Sequence, residues 1–208
     1  MIFIWDFNGT IIDDIDICLK AENQLAKKYN KGRQITRKEY LDLFEFPVYN
    51  YYVKVGYDLK KYDFSEISKE FIELYKSYSD EYKLNDGVLD ILKRSKSQGN
   101  KNIIISASEQ KILNQQVKML GLSNYFHDIV GIEDVEAASK KETALKWLKK
   151  NNYNKDEMIF IGDSTHDYEV AEAMGIKSLL VAAGHMSKER LLEVTPNVID
   201  SFEEFKYV

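Results

Sequence analysis

Short apolar runs recur along this chain at Ile2 to Trp5, Ile103 to Ile105, Ile129 to Ile132, Met158 to Ile161 and Ser178 to Ala182. Runs this short, alternating with stretches of helical period, predict parallel strands joined by crossover helices that cover both faces of a sheet. The helix after the second run carries Leu113, Val117 and Leu120 on one face and stops before Gly121, a residue suited to a C-terminal cap. Another helix starts at Ser139, with Glu142 three residues on as a capping box that sets Lys140 and Lys141 in the first turn.

Almost a hundred residues separate the first run from the second, far more than a single crossover helix requires. The excess reads as an inserted helical domain. Ile15, Cys18, Leu19, Leu25 and Ala26 give one amphipathic helix, and Thr36 with Glu39 starts a second. Ile67, Phe71, Leu74 and Tyr78 give a third. The aromatic stretch FEFPVYNYY lies at the centre of this block, and Asn85 to Gly87 punctuates its end. The expected architecture is therefore α/β, a doubly wound parallel sheet with a Rossmann-like core. Residues 1–14 and 86–208 form that core, and residues 15–85 form an α-helical cap.

Composition narrows the function classes. The 34 acids and 29 bases are mixed without a basic stripe and leave a formal charge of −5, which argues against a nucleic-acid surface. Cys18 is the single cysteine, so neither a disulfide framework nor a thiolate-rich metal site is available, and a reducing cytoplasm is the expected compartment. The opening run MIFIW is too short for a signal peptide or a membrane span and has no basic flank.

In a doubly wound sheet the loops at the carboxyl ends of the strands converge on one crevice. The runs here end in Asp6, Asn8 and Thr10, in Ser106 and Ser108, and in Asp163 and Asp167 behind Gly162; Lys140 or Lys141 joins them from the start of a helix. Carboxylates, a lysine, a hydroxyl and exposed amides around one point suit phosphoryl transfer with Mg²⁺, a hard cation that takes oxygen ligands. A carboxylate in such a site can itself attack phosphorus.

The ordered set DFNGT, IIISAS, ASKKE and GDSTHDYEVAEAMG resembles the haloacid dehalogenase-like hydrolases, most closely their phosphoglycolate-phosphatase-like branch, over essentially the whole chain. The resemblance implies Asp6 as nucleophile, Ser106 and Lys140 on the phosphoryl group, and a Mg²⁺ site of Asp6, the Asn8 backbone carbonyl and Asp163, with Asp167 as ligand or support. Gly9, Thr10 and Ala107 beside these, and Phe46 and Tyr52 from the cap, complete the candidate substrate contacts. The family's first motif normally carries a second aspartate where this chain has Asn8, and an amide cannot serve as the general acid. Such assistance contributes ~10²–10⁴-fold, so its loss slows or narrows catalysis without preventing attack by Asp6.

His127, His166 and His185 share no metal-binding spacing and read as surface or loop residues, His166 being the one placed to replace the missing acid. The expected function is a Mg²⁺-dependent phosphatase acting on a small phosphorylated metabolite through an aspartyl phosphate, with neither nucleic acid nor membrane as partner. A non-catalytic protein that binds a phosphorylated ligand, or a dehalogenase-type hydrolase, are the alternatives.

Overall fold

The computed structural model describes residues 1–133 and 139–207. From the N-terminus, strand β1 (Ile2–Trp5) leads through the candidate catalytic loop, residues 6–11, to β2 (Ile12–Asp13). Helices α1 (Ile15–Tyr29), α2 (Arg37–Leu43), α3 (Val48–Lys54) and α4 (Phe64–Ser77) follow, and β3 (Lys83–Leu84) closes the insertion. Then come α5 (Val88–Ser97), β4 (Lys101–Glu109), α6 (Gln110–Met119), β5 (Asp128–Ile132) and α7 (Lys140–Lys150). The chain ends with β6 (Met158–Gly162), α8 (Thr165–Met174), β7 (Lys177–Val181), α9 (Lys188–Leu192) and β8 (Val198–Ile199).

Six strands form one parallel sheet in the order β5-β4-β1-β6-β7-β8. The chain builds outward from β1 to β5, then crosses back and builds outward on the other side. The order therefore reverses at β1, between β4 and β6, and the crevice beyond the carboxyl ends of these strands is where a doubly wound sheet binds its ligand.

Period-two alternation decides which side chains cover each face. Phe3, Trp5, Ile104, Ile159 and Ile161 pack on one side against Val88 and Leu92 of α5 and Leu113 and Val117 of α6. Ile2, Ile4, Ile103, Ile105, Met158 and Phe160 pack on the other against Ala144 and Trp147 of α7 and Val170 and Met174 of α8. A third cluster joins α1 to α4, through Leu25, Tyr40, Tyr51 and Ile67, to Leu180, Met186 and Leu191 of the sheet domain.

Four elements go beyond the sequence pattern. β8 has two residues, too few to register as a run, and it extends the sheet by pairing with β7. β2 and β3, which no apolar run marks, pair antiparallel at the roots of the insertion, Ile12 opposite Leu84 and Asp13 opposite Lys83. α3 hides in the aromatic stretch, where Tyr51 and Tyr52 are buried and Tyr49 is exposed.

Directly after β3, buried Asn85 donates from Nδ2 to the carbonyls of Gly9 and Thr10, both at 2.9 Å, which ties the end of the insertion to the catalytic loop. Asn85→Ala leaves two buried carbonyls without this donor, and the expected loss is about 1–3 kcal/mol in urea unfolding. A variant as stable as the parent would show that the tie carries no energy.

Candidate active site

Asp6 sits at the end of β1 because its N–H donates to the Ile161 carbonyl at 2.8 Å, continuing the β1–β6 pairing by one residue. The capping box of Ser139 and Glu142 starts α7, which makes Lys140 its first residue. Buried Lys140 stands 2.6 Å from Asp6 Oδ1 and 2.5 Å from Asp167 Oδ1. Burial opposes its charge, but Asp167 and Asp6 outweigh it and hold the ammonium above its ordinary range. Lys141, one position on, faces solvent.

Asp167 has both oxygens occupied. Oδ1 takes Lys140, while Oδ2 accepts from the N–H groups of Asp163 and Ser164 and from the Ser164 hydroxyl at 2.7 Å. Ser164 is the N-cap of α8, so Asp163 lies just before the helix and Asp167 in its first turn. Asp163 accepts from the Thr10 hydroxyl at 2.7 Å and from the His185 N–H at 2.6 Å. Gly9, at φ 72°, and Gly184 flank Asp163 so closely that a Cβ on either would overlap its carboxylate. At the end of β4 the register against β5 shifts between Ile105 and Glu109, and Ser106 to Ser108 turn toward this point. Buried Ser106 accepts from the Ser108 N–H at 3.1 Å.

Asn8 is held at both ends of its amide. Nδ2 donates to Asp14 Oδ2 at 2.8 Å and to the Tyr75 hydroxyl at 2.9 Å, while Oδ1 accepts from the Ser108 hydroxyl at 2.9 Å. Asp14 is 1% exposed and also accepts from the Gly9 N–H and the Tyr75 hydroxyl; His185 Nε2 lies 3.2 Å away. Burial alone would raise Asp14, yet His185, Asn8 and Tyr75 hold it below the usual carboxylate range. Burial likewise disfavours a charged His185, but Asp14 and the other carboxylates lift it to about 9, and its Nδ1 lies 2.9 Å from the Tyr40 hydroxyl.

A cavity of about 340 Å³ opens over these groups between the sheet and the inserted helices. Asp6, Asn8, Ser106, Lys140, Asp163 and Ala107 reach its wall, as do Phe46 and Tyr52 from the insertion. Gly9 and Thr10, expected to touch substrate, are not on that wall. The Gly9 N–H is committed to Asp14, and Thr10 is fully buried with its hydroxyl on Asp163. His166 corrects a further expectation, since it lies off the cavity beside Glu169 and against the Phe46 ring. His185 lies in the loop after β7, where it is buried and lines the cavity. No local pattern marks His185 or Asp14; only the closure of the β7 loop over the catalytic loop joins them. Ala138, which opens the ASKKE motif, lies outside the described residues.

Asp6, Asp163 and Asp167 present carboxylate oxygens within 4.8 Å of one another. Lys140 faces Asp6 and Asp167, and the cation acting on Asp163 is His185. Burial, reinforced by neighbouring carboxylates and opposed by Lys140, raises Asp6 to about 7; burial chiefly raises Asp163 to about 6. Uncompensated oxygen donors of this kind fit a divalent cation that prefers carboxylates. Asp6 and Asp163 could hold it, with Asp167 positioning Lys140 and the start of α8.

Comparison with known proteins gives the family and the fold. The family described as haloacid dehalogenase-like hydrolase matches residues 3–181. Pyrophosphatase PpaX of Listeria innocua is 23% identical over 204 residues, covering 93% of this chain and 88% of that protein. Phosphoglycolate phosphatase of Aliivibrio fischeri is 25% identical over 122 residues, 58% of this chain and 53% of that protein. Among solved structures, CbbY from Rhodobacter sphaeroides in complex with phosphate superposes with a TM-score of 0.76 at 15% identity, covering 98% of this chain and 95% of that one. Among the described residues, no helix is long and apolar enough to cross a membrane.

The shifted groups fix the sign of a stability profile. Asp6 and Asp163 keep their protons in the folded chain up to about 7 and about 6, whereas an unfolded aspartate releases them near 3.8. Folded protein thus binds more protons than unfolded protein above that value, and stability falls as pH rises through the window. His185, moved from 6.5 to about 9, acts in the same direction at higher pH. Asp14 and Asp167 are lowered and act oppositely, in acid. Metal-free protein should therefore lose Tm steadily between about pH 5 and about pH 9; a flat or rising profile would contradict the charge balance.

Proposed function

The chain belongs to the haloacid dehalogenase-like hydrolases, and on that premise we propose that it is a Mg²⁺-dependent phosphatase whose nucleophile is Asp6. The observation that carries this reading is the single buried Lys140 shared by Asp6 and Asp167 at the mouth of a cavity that also exposes Ser106. Lys140 offers an ammonium, and Ser106 a hydroxyl, to phosphoryl oxygens at the point where an Asp6 oxygen meets phosphorus. As the Asp6 oxygen bonds phosphorus, the bond from phosphorus to the ester oxygen breaks, the alcohol leaves as its anion and takes a proton from water, and an acyl phosphate remains; water then cleaves the acyl phosphate, freeing phosphate and restoring the carboxylate. Mg²⁺ held by Asp6, Asp163 and the backbone carbonyl of Asn8 would supply charge that offsets the phosphoryl oxygens and the nucleophile.

Asn8 gives the reaction its character. With its amide committed to Asp14 and Tyr75 and its carbonyl to Ser108, it orients the loop and offers no exchangeable proton to a leaving group. Esters whose alcohols leave as stable anions, such as aryl phosphates, are therefore the favoured substrates. The cavity wall supports an organic ester over inorganic pyrophosphate. Away from Asp6 it is lined chiefly by Tyr40, Phe44, Tyr51, Tyr52, Phe64 and Phe71, a largely apolar surface suited to an organic group, with Lys76 its one lysine among the described residues beyond Lys140.

Phosphate release from para-nitrophenyl phosphate should depend on Mg²⁺, stop with a chelator and be absent in Asp6→Asn. Simple alkyl phosphates should turn over at least ~10²-fold more slowly, and Asn8→Asp should narrow that gap by restoring an acid. Mg²⁺-dependent binding of phosphomonoesters without phosphate release would instead identify a ligand-binding protein. Turnover that ignores the chelator would favour dehalogenase-type chemistry.

A further inference from the structure

Asp14, Cys18 and Glu22 recur every four residues at the start of α1 and so lie on one stripe of the helix. All three reach the cavity wall. The stripe carries polar groups from the catalytic loop to a point ~12 Å further along the helix axis. Its two carboxylates differ sharply. Asp14 is fully satisfied, whereas Glu22, 1% exposed, has an Oε1 with no hydrogen-bond partner.

Among the described residues, the buried side-chain polar atoms without partners belong to Glu22, Tyr51 and Gln116, and all three residues line this same cavity. A buried polar group left unpaired costs about 1–3 kcal/mol, and a carboxylate more, so such atoms are rare in a settled core. Their concentration on one cavity wall marks partners that the chain itself does not supply. Burial pushes the Glu22 carboxyl to about 7, and the groups that act against this are the Tyr57 and Tyr52 hydroxyls, with no cation among them. Aromatic side chains make up much of the remaining wall, with Val48, Ile72, Ile112, Ser68 and Lys76 among them, and aromatic faces attract cations.

We infer that Glu22 and the Tyr51 hydroxyl form a distal subsite for an ammonium group, so that the substrate class is a phosphomonoester of an amine-bearing alcohol or phenol. This rests on the phosphatase reading: the phosphoryl group occupies the Asp6 and Lys140 end, and the amine reaches the Glu22 end. A neutral hydroxyl would satisfy the orphaned oxygen but leave the buried carboxylate without countercharge. An ammonium group supplies both, and the tyrosine and phenylalanine rings around it add cation–π attraction.

Two aryl esters of matched shape test the subsite, tyramine O-phosphate and the uncharged para-propylphenyl phosphate, with para-nitrophenyl phosphate as a reporter of the chemistry at Asp6. Wild type should favour the ammonium ester in kcat/KM by about tenfold to a hundredfold, the worth of a hydrogen bond to a charged group. Glu22→Gln should bring that ratio to about one, and Tyr51→Phe should lower it, in proteins shown by thermal melting to be folded; if Glu22→Gln does not fold, Tyr51→Phe carries the test. A wild-type ratio near one, or a preference that the folded variants keep, overturns the inference while leaving the phosphatase reading intact. If wild type releases phosphate from none of the three esters, the phosphatase reading fails. Calorimetric affinities of wild type for the two matched esters then decide the subsite: tighter binding of the ammonium ester supports it, and equal affinity overturns it.

Discussion

Lys140 is the charge on which the arrangement depends. Its ammonium is buried between Asp6 at the end of β1 and Asp167 in the first turn of α8, so it fixes two loops and one helix start with respect to each other. A cation in the first turn of its own helix works against the helix dipole, and burial adds a desolvation cost. Both are offset only because two carboxylates meet it at hydrogen-bonding distance. Removing either acid would leave the others mismatched, which makes the cluster a unit and not a sum of pairs.

That unit is also unbalanced. Burial outweighs the cations beside the acids, Lys140 at Asp6 and His185 at Asp163, and leaves both carboxyls with raised proton affinity. A site held short of positive charge is prepared for a cation. Asp167 is kept from that role by its bonds to Lys140 and to the start of α8, while Asp163, flanked by Gly9 and Gly184, has no room to turn away.

Much of this could be read from the chain. The apolar runs predicted the strands that carry Asp6, Ser106 and Asp163, and the capping box at Ser139 put a lysine at the start of a helix beside them. Helical pattern sets Lys140 and Lys141 in the same turn, and only the ASK setting favours Lys140; in three dimensions Lys140 is buried between Asp6 and Asp167 while Lys141 faces solvent. Asp14 and His185 left no trace in local pattern, because their pairing joins distant parts of the chain through loops whose paths sequence does not dictate. The meaning of Asn8 was half visible. Its lack of a proton follows from its chemistry, but its donation to Asp14 does not, and that contact explains why an amide suits the position: an aspartate there would face a second carboxylate at 2.8 Å.

The central claim is that Asp6 is the atom donor that attacks phosphorus. The most direct measurement is an acid quench of the protein during turnover of radiolabelled aryl phosphate with Mg²⁺, followed by peptide mapping. The account predicts hydroxylamine-labile label on the peptide containing Asp6, and none in Asp6→Asn. Label on another residue, or phosphate release by Asp6→Asn at the parent rate, would contradict it.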